Sequence, residues 1–185
     1  MRRILSLCLL IVLLTGCGGE DSLLAQGIAF RSELISRGGC SFHAQITVDY
    51  GQEIQCFAVE CESDGDGEVT FCVKEPDTIE GITGKMDGQE GTVTYDGLQL
   101  AFPLLANDRI SPVSAPALMV ECWLREYILS AGETEGICRV SYEKKINEKD
   151  LLIDTYFENH IPISAELCYN GYRIVNIKIT DFTFH

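Results

Sequence analysis

The sequence predicts an α+β fold in which one strongly curved antiparallel sheet is covered by an N-terminal helix and a central helix. Three observations carry that expectation. From Phe42 onwards, apolar residues recur largely at every second position, the period of a half-buried strand. Short Gly-, Asp- and Asn-rich turns punctuate the runs at Ser63–Gly67, Asp96-Gly97 and Asn170-Gly171, and runs joined this way pair as antiparallel hairpins. Only two segments, one ahead of the strands and one among them, space their apolar residues as a helix does.

The chain opens with Met1-Arg2-Arg3 and the apolar run Ile4 to Leu14. A positive start, a short apolar stretch and small residues make the three-part layout of a secretory signal. The run is too short for a spanning helix, which takes about 20 apolar residues. Leu14-Thr15-Gly16-Cys17 at its end resembles the lipobox of bacterial lipoproteins. That resemblance implies cleavage before Cys17, a diacylglycerol on its thiol and a place on the extracytoplasmic face of the cell membrane. The expected organisation is a signal peptide over 1–16, a lipidated cysteine and short tether over 17–21, and one domain over 22–185. The covalent diacylglycerol on Cys17 is the only prosthetic group expected.

Ser22 can cap a helix running to about Arg37, where Gly38-Gly39 stops it. Leu23, Phe30 and Leu34, with Leu24, Ile28 and Ile35, form its apolar face, and Gly27 interrupts it. Phe42, Ala44, Ile46 and Val48 then alternate with polar residues as a strand ending at Tyr50-Gly51. Strands follow over 54–62 and 69–73, Pro76 breaks the meander, and Thr78 to Gly84 begins another strand. Residues 92–95 and 98–102 flank the Asp96-Gly97 turn. Ser111-Pro112 reads as an N-cap with proline at the first helical position, opening a helix through Ser130. Its apolar cover, including Leu118, Met119, Trp123 and Tyr127, is wide enough to imply burial on more than one side. Four closing strands are expected over 136–144, 151–158, 163–169 and 172–182.

Composition narrows the function. A chain of 185 residues suits one domain with a real core. Its formal charge of -14 becomes -16 when Arg2 and Arg3 leave with the signal. Such acidity disfavours nucleic acid, whose phosphates need Lys and Arg. Of nine cysteines, seven lie beyond Cys17, so at least one stays unpaired. Cys61 and Cys72 flank the Ser63–Gly67 turn, and a tight hairpin would set them opposite each other as a disulfide. Their spacings match neither a redox pair nor a zinc ribbon. Asp64, Asp66 and Glu68 hold part of a calcium-loop pattern but lack its remaining ligands, and a tight turn explains them. No Gly-x-Ser-x-Gly elbow accompanies His43, His160 and His185, so neither catalytic residues nor a metal site is expected.

The order of elements resembles the LolA-like superfamily, the lipoprotein carrier and receptor proteins of bacterial envelopes. The resemblance rests on the meander from Phe42 through Val73 into Glu75-Pro76 and Ile79-Glu80-Gly81-Ile82, on the Ser111-Pro112 helix, and on Pro162 to Leu167, Asn170-Gly171 and Ile174 to Phe182. It implies an incomplete β-barrel closed by helices around an apolar cavity, with no catalysis. On that basis the chain is expected to be a non-enzymatic lipoprotein that binds a lipid or other amphiphile between sheet and helices. Leu118, Met119, Trp123 and Tyr127 are the candidate lining. The alternative is an envelope interaction or sensor module that binds a protein partner on the same scaffold.

Overall fold

The computed structural model describes residues 19–51, 53–87, 90–106 and 109–185. The expected signal peptide and the expected lipidation site, Cys17, lie outside them. Helix α1 (Gly19–Arg37) leads into strands β1 (Gly39–Asp49), β2 (Ile54–Asp64), β3 (Val69–Glu75), β4 (Thr83–Asp87), β5 (Glu90–Tyr95) and β6 (Leu98–Pro103). A small hairpin, β7 (Leu105–Ala106) and β8 (Arg109–Ile110), precedes a 3-10 turn (Pro112–Ser114) and helix α2 (Ala115–Arg125). Strands β9 (Tyr127–Thr134), β10 (Ile137–Ile146), β11 (Lys149–Glu158), β12 (Ile161–Tyr169) and β13 (Tyr172–Phe184) complete the chain.

Eleven of these strands form one antiparallel sheet in the order β6-β5-β4-β3-β2-β1-β13-β12-β11-β10-β9. Two meanders therefore meet along a single seam, β1 against β13, running from Cys40↔Phe184 to Val48↔Val175. The sheet is open, with β6 and β9 as its edges. Alternation sends Phe42, Ala44, Ile46 and Val48 of β1 to the inner face, where all four are buried, while His43, Gln45 and Asp49 face outwards. Both helices lie on the inner face. The α+β architecture, with a curved open sheet covered by two helices, is the one expected.

Three boundaries and one apolar face differ from the expectation. Helix α1 starts at Gly19, so it takes in part of the segment read as a tether. Its apolar face is narrower than predicted: Phe30 and Leu34 are buried, whereas Leu24, Ile28 and Ile35 face outwards. The stretch 78–82 is a turn, closed by the Val73 N–H donating to Ile82 O (2.8 Å) and the Gly81 N–H donating to Val73 O (2.9 Å). The central helix ends at Arg125, and 127–130 belong to β9, giving five closing strands. Its stop is imposed from a distance. The Arg31 guanidinium on α1 donates to the carbonyls of Trp123 (2.6 Å) and Glu126, which the helix end leaves open, and to that of Cys122 (3.1 Å), which also accepts the Glu126 N–H.

Candidate functional site

The interface between α2 and the sheet was the expected ligand cavity, and it is closed. Trp123 is 0% exposed, and Leu118 and Met119 are buried beside it, so none of the three borders space that a water could enter. Phe30 lies edge-on to Trp123 with ring centroids 5.3 Å apart, Phe157 packs against Phe30, and Phe182 packs against both rings. The Trp123 indole N–H donates to Thr155 Oγ1 (2.9 Å), which satisfies both buried polar groups. Tyr127, the fourth candidate, is 72% exposed, because it opens β9 instead of continuing the helix. These four residues therefore pack a core or face solvent; they do not line a cavity.

The expected Cys61–Cys72 bridge is also corrected. Register pairs Cys61 with Phe71 and Glu60 with Cys72, so the two thiols point to opposite faces of the sheet and both are free. Cys40, Cys61, Cys122 and Cys138 are buried and serve as small apolar side chains. Burial pushes the Cys40 thiol up to about 12 and raises those of Cys61 and Cys122 as well.

Other sequence candidates resolve into structure. Asp64 Oδ1 accepts the N–H groups of Asp66 (3.0 Å) and Glu68 (2.9 Å), which makes the acidic run a tight turn. His43 sits on the outer face between Glu60 (3.2 Å) and Asp181 (3.0 Å), and His160 lies in the β11–β12 turn. Lys144 is half-enclosed. Burial works against its charge, but hydrogen bonds to Glu121 (2.6 Å) and Glu126 (2.8 Å) outweigh that and raise its pKa. Among the described residues, no group of three or more His, Cys, Asp or Glu is arranged to hold a metal.

The inner face is uncovered in one place. Register carries it from Val69 and Phe71 of β3 to Met86 and Gly84 of β4, then to Gly91, Val93 and Tyr95 of β5 and Phe102, Leu100 and Leu98 of β6. Val69, Phe71 and Met86 are buried, and Val93 and Phe102 partly so. Towards the β5–β6 turn the cover runs out: Tyr95 is 53% exposed, Leu100 70% and Leu98 72%. On the opposite, outer face, Glu60, Glu62, Thr70, Lys85, Thr92 and Thr94 border a polar groove of about 610 Å³. A further pocket of about 420 Å³ opens at one end of the sheet, with Tyr50, Arg109, Lys149, Tyr169, Tyr172 and Arg173 in its wall. Sequence reading singled out neither the exposed strip nor this pocket. The strip's signal was the alternation Leu98, Leu100, Phe102 on a strand beyond the reach of either helix. The pocket's signal was the Tyr-Asn-Gly-Tyr-Arg run at 169–173, which only the topology brings to Tyr50 and Arg109.

No protein-family profile matches the sequence, and no curated protein matches it. Among solved structures, the chain is similar to a LolA superfamily protein from Nitrosomonas europaea, at 11% identity, covering 91% of this chain and 94% of that one with a TM-score of 0.43. It is similar to an uncharacterized conserved protein from Thermus thermophilus at 9% identity, covering 87% of each chain with a TM-score of 0.48. The Mycobacterium tuberculosis lipoprotein LppX is similar at 13% identity, covering 88% of this chain and 95% of that one with a TM-score of 0.40.

Proposed function

We propose that the protein is a non-enzymatic binding module of the cell envelope, tethered to the membrane by a diacylglycerol on Cys17, that takes an amphiphile on the uncovered part of its inner face. One observation carries this reading. Tyr95, Leu98 and Leu100 continue an apolar face whose Val69, Phe71 and Met86 on β3 and β4 are buried, yet they themselves are more than half exposed among the described residues. Contiguous apolar surface left open in this way marks a binding site more often than isolated exposed residues do. Covering the three side chains would contribute roughly 4 kcal/mol, at about 2 kcal/mol for each fully buried side chain scaled by its exposure. That suits reversible capture of an acyl chain better than permanent storage.

The test uses the full-length lipoprotein purified from its host membranes. Native mass spectrometry is expected to find a co-purifying amphiphile. A fluorescent fatty-acid probe should bind at least about tenfold more weakly to the Leu98→Asp/Leu100→Asp variant, with no loss of thermal stability because both sites are exposed. A probe affinity unchanged by the two substitutions sinks the reading.

A specific observation favours a second reading. Strand β6 is an edge of the sheet, and an edge with an apolar face is suited to adding a partner's strand. A photocrosslinker at position 100 would then give one dominant protein adduct in cells, and a diffuse ladder would exclude it.

A further inference from the structure

Helix α1 is apolar on two sides, and only one of them is packed. Phe30 and Leu34 are buried, and Gly27 lets the helix settle on β9 and β10, where a side-chain carbon would come 3.1 Å from Val140 and 3.5 Å from Ile128. On the other side, Leu24, Ile28 and Ile35 follow at intervals of four and seven residues, which sets them in one line along the helix. Ile28 and Ile35 are about half exposed, and Leu24 somewhat less. Packing of the inner side holds this line in a fixed direction on the surface.

Charge sets the same surface apart. The chain carries 28 acidic residues against 14 basic ones, yet from Ser22 to Arg37 there are two arginines and a single glutamate. Arg31 is turned inward onto the carbonyls at the end of α2. Glu33, the one carboxylate of the stretch, pairs with Arg37 one turn further on (3.7 Å). An anionic bilayer therefore repels the acidic remainder of the surface and meets no such barrier here. The anchor points the same way. Helix α1 opens at Gly19, two positions after Cys17, so a diacylglycerol on that thiol brings the start of the helix to the bilayer surface.

We propose that the domain lies on the bilayer along α1, with Leu24, Ile28 and Ile35 set into the headgroup boundary. This rests on the diacylglycerol at Cys17 proposed above and goes beyond it. An anchor alone limits how far the domain strays, whereas the stripe decides which side faces the lipid. Three partly exposed apolar side chains make a weak membrane site for a free protein. For a tethered one the contact is intramolecular, at an effective concentration on the order of millimolar for a short linker, and a weak site then suffices. Helix α1 packs on β9, one edge of the sheet, while the open strip belongs to β5 and β6 at the other. The two surfaces therefore answer to different substitutions.

Photocrosslinking of the full-length lipoprotein in nanodiscs of phosphatidylethanolamine and phosphatidylglycerol tests it. A small fraction of the lipid carries a diazirine near its headgroup, and adducts are mapped by mass spectrometry. Ile35 is about 24 Å from the first residue of α1, at about 1.5 Å per residue, so labelling of the last turn separates a docked helix from one that hangs by its start. Adducts are expected from Leu24 through Ile35. Ile28→Gln/Ile35→Gln should reduce those of the last two turns at least about fivefold, with the fold retained because glutamine is a good helix former. Ile54→Gln, at an exposed apolar position on β2, should leave them unchanged. Adducts confined to the first turn, on a chain whose N-terminal peptide carries the diacylglycerol, overturn the docking and leave the anchor standing. An N-terminal peptide without the diacylglycerol overturns both. Labelling that survives in the folded double variant, or paired chains with the stripe unlabelled, also overturns the docking, the latter in favour of self-association.

Discussion

Arg31 satisfies the end of α2 as a glycine cap does for many helices, except that it comes from another helix. This is why the sequence reads the helix through to Ser130: no Gly, Asn or Pro marks the stop at Arg125. Trp123 is similar. Its indole suggested a cavity wall, but its partner Thr155 lies on a strand more than thirty positions away and fills its one polar need. Beside them, the Tyr142 hydroxyl is buried with no hydrogen-bond partner among the described residues, and the Arg31 guanidinium stands over its ring, 5.7 Å from the centroid. An unpaired buried hydroxyl costs about 1–3 kcal/mol relative to one in water, and removing it relieves that cost. Tyr142→Phe is therefore expected to leave stability unchanged or raise it by up to about 1 kcal/mol. A urea midpoint clearly below the parent would show that the hydroxyl has a partner in solution.

Among the elements, the strands were the most legible because alternation is a local property. β1, β2 and β13 fall close to where the two-residue period puts them. What alternation does not reveal is how far a helix reaches across a sheet, and so β5 and β6 read like any other hairpin. Their glycines explain how β4 to β6 pack despite having little cover. A side-chain carbon on Gly84 would come 2.2 Å from the Phe71 ring, and one on Gly91 would come 2.3 Å from the Phe102 ring. The far end of each aromatic ring thus lies over a neighbouring strand's glycine and covers its backbone. Gly84→Ala forces Phe71 out of place and is expected to destabilise the protein by about 1–3 kcal/mol. Equilibrium denaturation measures this, and a neutral result would mean that the ring moves without loss.

At the scale of the molecule, fold class was readable and function was not, for a physical reason. Periodicity and turns specify which face is apolar, but whether that face closes depends on the fit of side chains such as Phe30, Phe157 and Phe182, far apart in sequence. The closed core has a pH signature. Burial raises the pKa of Cys40, Cys61, Cys122 and Tyr142. Each stays neutral in the fold after it would ionise in the unfolded chain, so the unfolded state is favoured as protons are lost. Stability is complete below the ordinary thiol value of 9.0 and declines towards the Cys40 value of about 12. The urea midpoint of the reduced protein should be level between about pH 6 and 8 and fall steadily above about 9. A midpoint constant to about pH 11 would contradict that burial.

The seam between β1 and β13 has a consequence in time. Synthesis and export both deliver a chain from its N-terminus, so β1 emerges well before its neighbour β13, about 140 positions later. Until then the N-terminal meander waits with a long apolar strand unpaired on one side, a state that invites mispairing. The C-terminal meander assembles from neighbours and then docks. The slowest event in maturation should thus be the meeting of the first and last strands, and substitutions along that seam should delay folding more than equal losses of stability elsewhere.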